Sequence, residues 1–219
     1  MAGEISPSYL CESSVPERVA AYRDDMKIIV SFRDPVVRAL SNHRHEVRSG
    51  HLPGPDLSFE FGLANNPMYI EQGLYAKHLE RWLDVFPAEQ IHVVLMDDVV
   101  SHPGEVARDV YRFLGVDSTF DPPSLTTRKN RSFAHRSSGL ARIKDQLYGL
   151  TRSAQTQWLW RIASLLGIRS LYRRVNVVDS SEAIPPPREE TIEHLRQTFL
   201  PDVEKLAALI DRPLDGWCR

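Results

Sequence analysis

Two residues in the first quarter of the chain have the types and spacing to hold an anion. Arg33 follows the apolar run Ile28-Ile29-Val30-Ser31-Phe32, and Ser41 stands eight positions later, beyond Asp34-Pro35. A guanidinium offers a planar fork of donors that matches a phosphate, and a serine hydroxyl adds another donor. An Arg at a strand end can equally pair with a neighbouring carboxylate. A second group is Tyr75, His78 and Trp82, three and four apart and therefore on one helical face. Such a face can stack on a flat ring, and His78 is of a type that serves as a general base. The same three residues can also simply pack in a core, as most aromatics do. A third group lies between Asp121 and Asp145, a stretch without acidic residues that holds Arg128, Lys129, Arg131, Arg136, Arg142 and Lys144. A basic loop rich in Ser and Thr is either an anion clamp or a solvated surface.

The elements that must position these residues can be read from local pattern. Residues 28–32 form a short β-branched run without alternation, as expected of a strand buried on both faces. Asp34 is a suitable cap, and Pro35 suits a first helical position, so a helix is expected over 35–48 with Arg33 at the carboxyl end of the strand. In open α/β sheets ligands bind at those carboxyl ends. That helix carries His43 and His45, which either face solvent or reach a cleft. A short helix is expected over 15–23, with Ser14 as cap and Pro16 at its start. Residues 50–66 read as a long polar loop, and 69–86 as one helix with Leu79, Trp82, Leu83 and Phe86 as its core stripe. A second buried strand is expected over 90–96, with Asp97 and Asp98 as charges opening the next helix. A helix over 103–114 ends at Gly115. Residues 140–166 read as helical. A final helix or pair over 189–210 breaks near Pro201, with Leu195, Phe199, Val203, Leu206 and Ile210 as its stripe.

Composition sets the frame. The 219 residues suffice for one domain with a real core, and with 42% hydrophobic and 26% charged residues the chain is globular. A net charge of −2 argues against broad nucleic-acid or membrane-surface binding. Cys11 and Cys218 sit near opposite ends, which favours free thiols in a reducing, cytoplasmic setting. No Cys/His spacing suggests a metal site, and no apolar run has the length of a membrane span or the shape of a signal peptide.

The stretch from Lys27 to Ser41 resembles the 3′-phosphate-binding motif of sulfotransferases that use 3′-phosphoadenylyl sulfate (PAPS), bacterial and heparan-sulfate types included. The resemblance extends to Gly3–Leu10, to the Gly73-x-Tyr75-x-x-His78-x-x-x-Trp82 pattern, to the strand-Asp-Asp-helix run ending in Phe113-Leu114-Gly115, and to the closing Asp211-Arg212-Pro213-Leu214-Asp215-Gly216-Trp217. It implies an α/β fold, a P-loop-like parallel sheet flanked by helices, in a single domain over 1–219. It implies that Arg33 and Ser41 grip the 3′-phosphate, that Tyr75 lies by the nucleotide, and that Arg128 and Lys129 belong to a basic loop closing over it. It puts His78 toward the acceptor cleft.

The family normally begins with a strand and a Lys-x-Gly-Thr-Thr-type loop that cradles the 5′-phosphosulfate on backbone amides at a helix N-terminus. No such loop occurs in this sequence, and several heparan-type members carry a Lys where this chain has Ile5. An N-terminally truncated form of the fold is therefore expected. The activity expected from the resemblance is sulfuryl transfer from PAPS to a hydroxyl or amine of a carbohydrate or small acceptor, with no metal. The alternative is an inactive remnant that binds a 3′-phosphoadenosine nucleotide or a partner. A P-loop phosphotransferase would need Gly-x-x-x-x-Gly-Lys-Ser/Thr, which is absent.

Overall fold

The computed structural model describes residues 3–52, 55–122, 125, 133–135, 177–179 and 184–218. Its elements in chain order are α1 (Val15–Tyr22), β1 (Ile28–Phe32), α2 (Pro35–Ser49), α3 (Phe59–Asn65), α4 (Met68–Glu71), α5 (Tyr75–Leu83), a 3₁₀ turn (Ala88–Gln90), β2 (Ile91–Leu95), α6 (Met96–Ser101), α7 (Pro103–Leu114), β3 (Phe133–His135), β4 (Val177–Asp179) and α8 (Glu189–Leu209). They divide into two compact units, one of Met1–Ala39, Asn66–Lys129 and Glu189–Arg219, the other of Leu40–Asn65 and Asn130–Arg188. The expected helix over 140–166 lies outside the described residues.

The first unit is built on β1 and β2, which pair in parallel with Ile28 opposite Ile91 and Phe32 opposite Leu95. Parallel neighbours require a crossover, and helices supply it here. Helices α5 and α8 pack together. Leu195, Phe199, Val203 and Leu206 form one buried stripe on α8, and Ala76, Leu79 and Trp82 are buried on α5. At the far end of α5, Trp82 stacks on Phe86 with centroids 5.8 Å apart, and both pack against Val15 of α1.

Three local expectations in the first unit are corrected. β1 is not covered on both faces: Val30 and Phe32 are buried but Ile29 is 41% exposed, and Ser31 is exposed too. Described residues cover one face only, so the strand alternates despite its uniform composition. The single helix expected over 69–86 is two. They are separated at Leu74 (φ −81°, ψ 70°), which is not helical, and the preceding Gly73 allows a close approach: a Cβ there would lie 2.6 Å from Phe199 Cε1 and 3.2 Å from Pro35 Cβ. Helix α5 then starts afresh, its first amides capped from afar: Ala76 N and Lys77 N donate to the Asp202 carboxylate at 2.9 and 3.1 Å. Conversely α8 does not break at Pro201. Pro201 is exposed, so the carbonyl it leaves without a donor can be hydrated, while the apolar stripe continues on both sides.

In the second unit, the expected loop over 50–66 contains α3. Ser58 Oγ accepts from Phe61 N at 3.2 Å as a cap, and Phe59 supplies a fully buried anchor. His43 of α2 is buried too. Its Nε2 lies 3.0 Å from the Leu57 carbonyl, its ring meets Phe59 edge-on at 5.5 Å, and burial pushes its pKa down. β3 and β4 pair antiparallel, with Ala134 opposite Val178.

Candidate functional site

The turn after β1 is set by its own sequence. Asp34 Oδ1 accepts from Val36 N at 2.8 Å and Val37 N at 3.0 Å, which satisfies two of the orphan donors at the start of α2. Pro35 fills the first helical position and is fully buried. Arg33 is thereby held at the carboxyl end of a parallel strand, half-buried, with Nη2 donating to the Arg38 carbonyl at 3.3 Å. The other oxygen of Asp34, Oδ2, accepts from Cys218 N at 3.1 Å.

Under the turn lies an aromatic floor. Tyr75, only 3% exposed, stacks on Phe32 at 4.5 Å and meets Trp217 edge-on at 6.2 Å. Burial pushes its phenol up to about 12, although the Arg38 and Arg33 cations and a backbone hydrogen bond from Arg33 oppose the shift. Tyr75 is therefore neutral, and its hydroxyl end points to the Arg33 turn.

Beside it runs a chain of polar contacts. Arg38 donates to Gln72 Oε1 at 3.1 Å and to the Tyr69 carbonyl, tying α2 to α4; its Nε is buried without a partner among the described residues. His78 is fully buried. Its Nε2 lies 2.7 Å from the Glu71 carbonyl, and its Nδ1 meets Arg81 Nη2. A carbonyl on one side and a guanidinium on the other make Nε2 the donor and Nδ1 the acceptor. Burial pushes the His78 pKa down, so the ring is neutral. Both nitrogens are engaged inside the fold, and reaching a substrate proton would mean giving up one of these bonds. Arg81 also donates to the Cys11 carbonyl at 3.0 Å, and Trp82 Nε1 to the Leu10 carbonyl at 3.3 Å, which pins the N-terminal loop to α5.

The arrangement is thus a capped strand-to-helix turn that carries a guanidinium near the buried, neutral Tyr75, with Arg38 as a second cation acting on the same phenol. Residues 13–148 match the family described as "Sulfotransferase domain". The chain belongs to this sulfotransferase family. It is 32% identical over 183 residues to mouse heparan sulfate glucosamine 3-O-sulfotransferase 3B1, covering 79% of this chain and 46% of that protein. It is 38% identical over 119 residues to human heparan sulfate glucosamine 3-O-sulfotransferase 6, covering 52% of this chain and 34% of that protein. The sulfotransferase from Alicyclobacillus acidocaldarius superposes with a TM-score of 0.63 at 26% identity, covering 97% of this chain and 65% of that one. The α/β sulfotransferase fold expected from the sequence is thereby established. The chain spans less than half the length of the curated relatives it matches.

Within this sulfotransferase-family chain, Arg33 and Tyr75 lie close enough for the Arg33 cation to act on the phenol. Ser41 is half-buried on α2, two turns beyond Pro35. Arg128 and Lys129 lie outside the described residues. Among the described residues no group of three or more His, Cys, Asp or Glu is placed to hold a metal ion, and no helix is long and apolar enough to cross a membrane. Sequence reasoning missed Arg38 and Arg81. Arg38 had one visible signal: a charged residue inside the apolar run Val36-Val37-Arg38-Ala39-Leu40, where a guanidinium needs partners from elsewhere in the fold.

Proposed function

We propose that this chain carries the 3′-phosphoadenosine-binding part of a sulfotransferase that moves a sulfuryl group from PAPS to a hydroxyl or amine of a carbohydrate. The observation that carries the reading is Arg33 itself: a guanidinium at the carboxyl end of a parallel strand, on a turn whose following helix is already capped by Asp34. Both oxygens of the Asp34 carboxylate are engaged by backbone amides, those of Val36, Val37 and Cys218. Arg33 can then meet the 3′-phosphate through two parallel N–H donors, and the resemblance assigns Ser41 the same phosphate. The names of the matched relatives point to a glucosamine-containing polysaccharide as the acceptor class.

The chemistry is an in-line displacement at sulfur. The bond from sulfur to the bridging oxygen of the 5′-phosphate breaks, the bond from the acceptor oxygen or nitrogen to sulfur forms, and the acceptor proton passes to a base. The leaving group is 3′-phosphoadenosine 5′-phosphate. As in phosphoryl transfer, catalysis is mostly positioning and charge stabilisation. Arg33 contributes by anchoring the end of the nucleotide far from the reacting sulfur.

Calorimetric titration with 3′-phosphoadenosine 5′-phosphate tests the reading. The expected result is micromolar binding, weakened about tenfold or more in Arg33→Ala by loss of a charge-assisted contact. Absence of binding by the folded protein would overturn it. Incubation with radiolabelled PAPS and heparan sulfate then separates a transferase from a protein that binds the nucleotide without turnover.

A further inference from the structure

The segment after α8 folds back onto the strand ends, and the proposed function leaves it without a task. Arg212 pairs with Asp98 at 2.5 and 3.2 Å, just beyond β2. Trp217 N closes a turn on the Leu214 carbonyl at 2.9 Å, and the side chains of Leu214 and Trp217 are both buried. The Trp217 indole Nε1 donates to Asp97 Oδ2 at 2.7 Å, while its ring closes against Tyr75. One residue later Cys218 N donates to Asp34 Oδ2 at 3.1 Å. Cys218 has φ 59°, a left-handed conformation that a non-glycine residue keeps only where its surroundings impose it.

Asp34 therefore has two separate partners. Oδ1 caps α2, and Oδ2, which would otherwise be hydrated, is tied to the C-terminal backbone. Tyr75 likewise has two neighbours: Phe32, the last residue of β1, on one side, and Trp217 on the other. Arg33 stands between Phe32 and Asp34 in the chain and bonds through its backbone to the Tyr75 phenol. Both supports of the guanidinium are thus backed by the C-terminal segment.

We propose that Trp217 and Cys218 are positioning residues of the nucleotide site, holding Tyr75 and Asp34 so that the Arg33 fork is aimed at the 3′-phosphate. The inference rests on the reading of Arg33 given above. A loosened Arg33 keeps its charge but loses the fixed direction that bidentate contact needs. The loss should therefore fall on recognition of the 3′-phosphate and not on nucleotide affinity in general.

The test uses the full chain with Trp217→Phe, which keeps a ring against Tyr75 but removes the indole N–H, and Cys218→Pro, which removes the donor to Asp34 together with the left-handed backbone that presents it. Affinities for adenosine 3′,5′-bisphosphate and for adenosine 5′-phosphate are measured by calorimetric competition, and their ratio is the readout. We expect the preference for the bisphosphate to fall about tenfold in Cys218→Pro, the size of one hydrogen bond to a charged group, and about threefold in Trp217→Phe, with adenosine 5′-phosphate binding unchanged. Equal weakening of both nucleotides would show a merely structural segment and overturn the proposal. So would an intact preference in variants of a protein whose Arg33→Ala form has lost it. If Arg33→Ala itself keeps the preference, the assignment of Arg33 fails first, which is a separate result. Trp217→Phe carries the test where Cys218→Pro does not fold.

Discussion

The two strands of the parallel pair end opposite each other, Phe32 beside Leu95, and each runs into a helix. The two turns are nevertheless built differently. After β1 come Arg33 and Asp34, and the Asp34 carboxylate caps α2 through two backbone amides. After β2 there is no intervening residue: α6 begins at Met96, its capping position is Leu95, and no side chain caps it. Asp97 and Asp98 lie inside the first turn of α6, and their carboxylates go to Trp217 and Arg212. One turn carries a guanidinium near the buried Tyr75; the other carries two carboxylates tied to the C-terminal segment. Under the proposed function the first turn is the one that meets a phosphate, while the carboxylates of the second are already taken by Arg212 and Trp217. A strand-to-helix turn is thus not an anion site by geometry alone. On the proposed reading, what makes the first turn one is a guanidinium beside a helix start that is already capped by a residue of the turn.

Truncating the two strand-end side chains is the severest way to break this comparison. Phe32→Ala should cost about 4 kcal/mol and Leu95→Ala about 3 kcal/mol, since both side chains are buried in the core. Urea unfolding measures both. Titration with 3′-phosphoadenosine 5′-phosphate at a temperature where both variants are folded should show weakened binding for Phe32→Ala alone, because only that change removes the stack under Tyr75. Equal effects on binding would erase the distinction between the two ends.

The acidic residues sharpen it further. Asp34→Ala removes a cap for two amides and the contact to Cys218, and should cost about 2 kcal/mol. Asp97→Ala removes one indole contact and should cost about 1 kcal/mol. Chemical denaturation in which Asp97→Ala proved the more damaging would reverse the proposed roles of the two turns.

The smallest effect is the ion pair of Asp98 with Arg212, which is partly exposed and worth about 0.5 kcal/mol in a double-mutant cycle. The Arg212 guanidinium holds the Asp98 carboxyl below its usual range. A lowered folded-state pKa gives stability that is present above the unfolded value of about 3.9 and lost as pH falls through the folded one. Thermal unfolding from pH 5 downward should show a shallower acid loss in Asp98→Asn than in the unaltered protein. An unchanged acid limb would mean that the pair contributes nothing.

Signals carried within a few neighbouring residues were legible in the sequence. They include the β-branched runs of β1 and β2, the Asp34-Pro35 start of α2, the left-handed Gly115 that ends α7, and the apolar stripe of α8. These follow from side-chain sterics, capping and periodicity, which act over one or two turns of chain. The motif around Arg33 was legible for the same reason. Other features depended on partners brought in from far along the chain. Between the two helices that replace the expected long one, Gly73 lies where Phe199 occupies the space a side chain would need. The first amides of α5 are capped by Asp202, some 126 positions away. Asp97 meets Trp217 across 120 positions, and Asp34 meets Cys218 across 184. Whether a Tyr, His or Asp in such a chain faces a ligand or another part of the fold is decided by which distant side chain reaches it first. That choice belongs to close packing and to the pairing of buried polar groups, and local pattern carries no record of it.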